Sequence, residues 1–531
     1  MVSEITIQEL IKSRVKTPAD LALFKRKIAK KYKIPCPSNI ELLKTYHNLV
    51  ENKSIKPFGI IENLLKTRPI RSLSGIVNVS VLTKPYPCPG KCLYCPLEKG
   101  IPKSYVSGEP AVERAKALNY DPYSQTQKRI EMLKNQGHPT DKIELRIAGG
   151  TWSYYPKKYQ TWFIKKCFAA CNVEPRRTII RKITLKDLEK AQRLNEKAKH
   201  RIVGLSIETR PDFINLSEIK WLRELGVTMV ELGVQSIYDD VLKKNLRGHG
   251  TKETIISTKL LKNAGFKVLY QMMPNLPGSN LKKDEKMFEE LFSNPDFQPD
   301  LLKIYPCAIL KEASLYKWWK AGKYKPYTQS QLINLIKSIK KKIPYYVRIQ
   351  RITRDIPSKT IVAGPAKISN LRQVVTKISK KEGWKCKCIR CREVRESYNP
   401  KEKFYLFRRD YDASGGREIF LSFENKNRTK LYSLLRLRIP TETGSLLAFP
   451  ILERTAIVRE IHTYGELVPI SEIKIAPQHR GLGKKLIKEA EKIAKKEFGS
   501  KKIAAISAIG VRNYFSKLKY KLRETYMVKE L

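Results

Sequence analysis

Seven short apolar segments between about residues 75 and 352 constrain this chain more than any other feature. They read GIVNVSVLT, KIELRIAGG, RIVGLSIET, VTMVELGVQS, FKVLYQMMP, LLKIYP and YYVRIQR, and amphipathic stretches such as SQTQKRIEMLKNQG and TKETIISTKLLKNAG lie between them. Repeated strand-then-helix units bury both faces of each strand only by lining up in parallel with helices packed outside, so the pattern predicts a full or partial barrel. In such barrels the chemistry sits at the C-terminal ends of the strands. Those ends here carry Gly149, Gly150 and Thr151, then Glu208 and Arg210, then Gln235.

The loop after the first segment reads CPGKCLYC, with Cys88, Cys92 and Cys95 in C-x3-C-x2-C order. Thiolates suit zinc or iron–sulfur clusters, and a structural zinc site is normally closed by a fourth ligand. Residues 96–135 contain no Cys or His to close it. Three thiolates would leave one iron of a four-iron cluster open to a chelating small molecule. A second group, Cys386, Cys388 and Cys391 in KCKCIRC, lies beyond the last barrel segment. Zinc is its natural reading, with a second iron–sulfur cluster or no metal as alternatives. Six of ten cysteines in two tight groups fit metal binding in a reducing compartment better than a disulfide framework.

Lys and Arg number 105 against 51 Asp and Glu, a formal charge of +54. Such a surface repels itself unless it meets a polyanion, and nucleic acid is the expected partner. LALFKRKIAKKYKIP and KTRPIRSLSG place Lys25, Arg26, Lys27, Lys30, Lys31, Arg68 and Arg71 as candidate contacts in a basic helical N-terminal arm. No run of about 18 apolar residues could span a membrane, and MVSEITIQEL lacks a signal layout, which predicts a cytoplasmic protein.

From residue 399 the pattern changes to a separate α+β domain: strands REIFLSFEN, KLYSLLRLRIP and TAIVREIHTYG, a helix from GLGKKLIKEAEK, then KIAAISAIG and TYMVKEL. Gln478, Arg480, Gly481, Leu482, Gly483 and Lys484 open that helix, where bare amides form a concavity suited to pyrophosphate. The Q-x-x-G-x-G string there resembles the acetyl-CoA loop of GNAT-type acetyltransferases. The cysteine loop after a first barrel strand resembles the radical S-adenosylmethionine superfamily. Together with the strings SYVSGEPAVERA, IETRPD, VELGVQSIYDDVL, AGFKVLYQMMPNLPGS, CKCIRCREV and RNYFSKLKY, nearly the whole chain resembles the catalytic-subunit family of Elongator in its archaeal or bacterial stand-alone form.

The resemblance implies a basic helical region at 1–74, a radical S-adenosylmethionine barrel at 75–375, a zinc-binding linker at 376–398 and a GNAT domain at 399–531. It implies that the wobble uridine of tRNA becomes 5-carboxymethyluridine, through a radical that adds the acetyl methyl carbon of acetyl-CoA to the uracil. Cys88, Cys92 and Cys95 would hold the 4Fe-4S cluster, and Gly149, Gly150, Thr151, Glu208, Arg210 and Gln235 would contact S-adenosylmethionine. Acetyl-CoA would meet the loop residues above, Glu460, Ile461, His462 and Thr463, the pair Tyr514 and Phe515, and Lys142 beside the barrel site. Tyr514 and His462 are the catalytic candidates, with Phe515 standing where the family has a second tyrosine. The implied partners are the tRNA anticodon stem-loop and a one-electron donor. A homodimer is compatible with this, and other Elongator subunits are not expected to be required. A protein lysine acetyltransferase with a scaffolding barrel is the competing reading, but basic lysine-bearing segments would be repelled by this surface.

Overall fold

The computed structural model describes residues 2–174, 183–395, 399, 401–441, 447–465 and 481–531. The seven apolar segments form β1 (Val77–Leu82), β2 (Lys142–Ala148), β3 (Arg201–Thr209), β4 (Met229–Gln235), β5 (Lys267–Met272), β6 (Leu301–Ile304) and β8 (Arg348–Ile352), and two short strands lie outside them, β7 (Ile309–Leu310) and β9 (Ile361–Ala363). The seven pair in the order β1-β2-β3-β4-β5-β6-β8, each neighbour parallel, while β7 and β9 make a small antiparallel pair. β1 and β8 do not pair, so the barrel is partial and has an open seam.

Alternation along each strand sorts apolar from polar residues. In β2, Ile143, Leu145 and Ile147 are fully or almost fully buried in the main core with the surrounding helices. Lys142, Glu144 and Arg146 take the opposite face. Glu231 in β4, Gln271 in β5 and Lys303 in β6 share that inner face, which makes the barrel interior polar instead of filled with apolar layers. Met229, Leu269 and Leu301 form a small apolar plug near the N-terminal ends of β4, β5 and β6.

The N-terminal region is a small helical body with its own core. Helices Val2–Lys12, Pro18–Tyr32, Asn39–Glu51 and Gly59–Leu65 pack around Ile7, Leu10, Leu21, Leu42, Leu43 and Tyr46. Thr17 and Asp20 form a capping box that starts the second helix.

The second sheet contains β10 (Tyr405–Asp412), β11 (Gly416–Glu424), β12 (Leu431–Pro440), β13 (Ala456–Thr463), β14 (Lys502–Ala505), β15 (Lys521–Arg523) and β16 (Tyr526–Glu530), in the order β10-β11-β12-β13-β14-β16-β15. β10, YLFRRDYD, has a charged edge-strand pattern that apolar alternation does not flag. One face of this sheet packs helix Leu482–Phe498. The other shares the main core with the barrel through Phe420, Tyr432, Leu434 and Tyr526, so the domain is fused to the barrel floor. A buried ion network crosses the junction: Arg459 of β13 meets Asp300 of the barrel at 2.5 Å and Glu418 of β11 at 3.0 Å. The segment with the second cysteine group bridges the same junction through Glu393–Arg348 at 2.7 Å and Arg392–Glu424 at 2.6 Å.

Candidate active site

The cysteine loop leaves β1 at its C-terminal end and lies against the ends of β2, β3 and β4. Cys88 Sγ sits 3.7 Å from Thr151 Oγ1, and Arg247 donates from Nη1 to Cys92 Sγ at 3.4 Å. Burial, and then Cys92, push the Cys95 thiol up to about 12. The Cys95 thiol becomes a thiolate there only beside a positive group, which is what a metal cluster provides. Among the described residues only Cys386, Cys388 and Cys391 bring three ligand atoms within 4.8 Å of one another. The wider spread of Cys88, Cys92 and Cys95 suits a cluster with several irons more than a single ion.

Around that loop the predicted contacts converge. Gly149 has φ +111°, and a Cβ there would lie 2.3 Å from Thr83 Oγ1, so only glycine lets the strand end turn this tightly. Gly150 also has positive φ, at +51°. Arg210 holds Asp212 in a fork, at 2.9 and 2.8 Å, and its remaining Nη1 is buried and unpartnered beside Gly90. Gln235 Oε1, Tyr94 OH and Asn78 Oδ1 are buried without partners as well, and these three residues line one cavity of about 560 Å³. Buried polar atoms left unmatched at a single site are what a polar ligand such as S-adenosylmethionine would satisfy.

Glu208 lies in the same cavity, accepting from Tyr105 OH at 3.0 Å and Lys303 Nζ at 3.1 Å. Lys303 also pairs with Glu231, to which Arg146 donates at 2.9 Å and Gln271 at 3.2 Å. Burial alone would raise Glu231, but Lys303 and Arg146 hold it near about 2. Arg247, Lys303, Glu231 and Arg146 escaped the sequence reading. The signal for Glu231 and Lys303 was a charge set within an otherwise apolar strand.

At the barrel floor a second cavity, about 370 Å³, is lined by Glu144, Arg348, Gln350, Glu460 and His462. The two cavities share Asn78, Arg146, Arg351, Thr353 and Asp355 along the open seam. β13 presents its two faces to different places. His462 donates from Nε2 to Ser74 O at 2.7 Å and stacks on Tyr464 with ring centres 4.3 Å apart. Glu460 pairs with Arg436 at 2.7 Å. Ile461 and Thr463 face the helix opening instead, where a Cβ on Gly483 would meet Tyr514 OH at 3.0 Å and Ile461 at 3.5 Å. Burial lowers His462, which is thereby neutral with one nitrogen committed to a carbonyl. That geometry holds the ring of His462 in place between Ser74 and Tyr464.

Tyr514 keeps a proton-donating phenol, pushed up to about 12 by burial. Phe515 packs into the second-sheet core against Tyr520, away from the helix opening. Gly481 caps helix Leu482–Phe498 in the left-handed region, φ +68°, and among the described residues no side chain caps the amides behind it. Lys484 is exposed on the first turn. Pairing of β13 with β14 ends at Val458–Ala505, and beyond it no described strand continues on that side. A helix opening with uncapped amides beside a strand edge fits the pyrophosphate and amide arm of coenzyme A. Gln478 and Arg480 lie outside the described residues.

Lys142 is not at the catalytic rim. It opens β2, at the end opposite Gly149, roughly 20 Å away at ~3.3 Å per residue. Its register partner Arg201 lies against Gly510 of the second domain, which puts the start of β2 at the barrel floor. Of the N-terminal basic residues, Lys25 donates to Asn39 at 2.8 Å and Lys31 to Glu9 at 2.8 Å, while Arg26, Lys27 and Lys30 are exposed. Arg68 and Arg71 line the rim cavity.

Residues 86–291 match the Radical SAM superfamily and 299–381 the Radical SAM C-terminal domain. The chain is 47% identical over 509 residues to the tRNA uridine(34) acetyltransferase of Methanocaldococcus infernus, covering 93% of this chain and 92% of that one. It is 40% identical over 486 residues to human Elongator complex protein 3, covering 88% and 86%. A solved structure of the archaeal Methanocaldococcus infernus Elp3, lacking its N-terminus, superposes with a TM-score of 0.74 at 45% identity over 87% of this chain and all of that one. With its partial barrel, cysteine loop and fused second domain, the chain belongs to the family of the tRNA uridine(34) acetyltransferases and Elongator complex protein 3.

Proposed function

We propose that this chain modifies the wobble uridine of tRNA to 5-carboxymethyluridine, using S-adenosylmethionine and acetyl-CoA. The observation that carries the reading is the adjacency of the two cavities, which share Asn78, Arg146, Arg351, Thr353 and Asp355 between the cysteine loop and the Glu460–His462 side. When bound, a 4Fe-4S cluster on Cys88, Cys92 and Cys95 with S-adenosylmethionine supplies one-electron chemistry, fed by an electron donor.

The chain's own residues do the rest. Arg247 orients and charge-balances Cys92. Gly149 and Gly150 bring backbone close to the ligand, and Arg210 Nη1, Gln235 Oε1 and Tyr94 OH supply its unmatched hydrogen bonds. The Lys303–Glu231–Arg146 network fixes the wall against which a uracil splayed from its stack would rest. Gly481, Leu482, Gly483 and Lys484 hold the coenzyme, and Tyr514 OH, beside Gly483, donates a proton at the thioester end. His462 and Glu460 fix β13 against the floor, on the face opposite the one that meets the helix opening.

Cys386, Cys388 and Cys391 hold zinc as a staple between β8 and the second sheet, in keeping with their shared 4.8 Å sphere. Metal analysis checks this: one zinc per chain is expected, and its persistence in Cys388→Ser would refute it. The function is tested with anaerobically reconstituted protein, S-adenosylmethionine, acetyl-CoA, a reductant and tRNA, followed by nucleoside mass spectrometry. Carboxymethyluridine is expected from the wild type and none from Cys92→Ala. Acetyl-lysine on a protein substrate with no nucleoside change would overturn the reading.

A further inference from the structure

The rim cavity carries more positive charge than its own carboxylates balance. Glu109 pairs with Arg354 at 3.1 Å, Glu208 with Lys303 at 3.1 Å, Glu231 with Arg146 at 2.9 Å, and Asp355 with Arg351. Those pairs account for the carboxylates that line it. Four lining arginines remain: Arg68 and Arg71 around the turn Pro69–Arg71, Arg114 on helix Pro110–Lys116, and Arg129 on helix Pro122–Lys134. No described carboxylate forms an ion pair with any of them. Arg71 is steered by donating to Gln136 Oε1.

Three of the four are half-buried, which makes the missing counter-charge expensive. Burial, then Arg114 and Arg71, pull Arg129 down to about 10, and Arg114 is lowered by burial and then by Arg71. Guanidinium forks match phosphate oxygens in geometry, and several forks on one wall match successive phosphates.

We propose that Arg71, Arg114 and Arg129, with Arg68 at the outer edge, form a phosphodiester clamp on the backbone beside the nucleotide whose base enters the cavity. The enzyme thereby reads its target as part of a polynucleotide and rejects a free nucleoside. This rests on the tRNA-modifying reading and adds to it Arg114 and Arg129, two positioning residues for the substrate.

The test measures binding of a fluorescent anticodon stem-loop RNA across a salt series, for wild type, Arg114→Gln, Arg129→Gln and Arg129→Lys, with melting curves as a folding control. A second RNA carries neutral methylphosphonates on both sides of the target uridine. Each Gln variant should weaken binding about tenfold and flatten the salt slope by about 0.7–1, while Arg129→Lys keeps the slope. The neutral backbone should cost wild type about tenfold and Arg114→Gln little more. Equal losses in both proteins, or Gln variants that bind like wild type, would overturn the clamp while leaving the proposed function standing. Loss of coenzyme A binding in place of RNA binding would assign the arginines to the coenzyme's phosphates and also overturn it. Absence of RNA binding by the wild type would remove the proposed function and the clamp together.

Discussion

Replacing Arg459 with Met should cost about 3–5 kcal/mol, because it breaks a fully buried ion network by removing one partner. Arg459 is 2% exposed and spends its whole guanidinium at the junction. It donates to Asp300 at 2.9 and 2.5 Å, to Glu418 at 3.1 and 3.0 Å, and to Phe266 O at 2.6 Å. Without it, the nearest cations to Asp300 are Arg436 at 3.6 Å and Lys262 at 3.8 Å, both beyond hydrogen-bond reach. Burial alone would raise Asp300, yet Arg459, Lys262 and Arg436 keep it far below the usual carboxylate range, so its charge must be matched in the folded state. The expected loss is a large share of a total stability of about 5–15 kcal/mol. Urea unfolding followed by amide exchange in β13 measures it, and the junction should open before the barrel. The double variant Arg459→Met with Asp300→Asn should recover part of the loss, since the stranded charge is gone. A loss under about 1 kcal/mol, or additive losses in the double variant, would refute the reasoning.

Three further outcomes follow from the site. Gly149→Ala meets Thr83 Oγ1 at 2.3 Å in a φ of +111°, so S-adenosylmethionine affinity by calorimetry should fall more than about tenfold at a stability cost of about 1–3 kcal/mol; unchanged affinity would show that the strand end does not touch the ligand. His138 donates to Thr67 O at 3.0 Å and contacts Ser72 Oγ at 2.9 Å, and burial lowers it to about 4. It is neutral in the fold and takes a proton more readily when unfolded, so its contribution is full above about pH 6.5 and is lost toward pH 4, about 3 kcal/mol in all. His138→Gln should flatten that acid limb in urea titrations, and an unaltered limb would rule His138 out. Tyr514→Phe should slow the acetyl-CoA-dependent step about 10²–10⁴-fold and leave cleavage of S-adenosylmethionine intact; equal loss of both activities would deny the phenol its separate role.

What the chain's order reveals divides by range. The cysteine loop, Gly149 and the Gly481–Lys484 opening were legible because spacing within a few residues sets their chemistry. Arg247 and Lys303 were not, because they reach the cysteines and Glu208 from 155 and 95 positions away. Strand alternation could have separated Glu460 and His462 from Ile461 and Thr463, since successive side chains take opposite faces. It could also have placed Lys142 at the floor, as the first residue of its strand. β10 went unread because an edge strand can be charged on both faces, and the N-terminal body because its eight core residues are scattered over four short helices. The fusion of the second domain to the barrel through Phe420, Tyr432 and the Arg459 network is a long-range fact that no local pattern announces.

The central claim is that the two cavities serve one product. Acetyl-CoA carrying carbon-13 at both acetyl carbons, given to the reconstituted enzyme with tRNA, tests it directly by nucleoside mass spectrometry. The account predicts a modified uridine heavier by both labelled carbons from the wild type and none from Cys92→Ala. A modified uridine without label, or label recovered only on protein lysine, would contradict it.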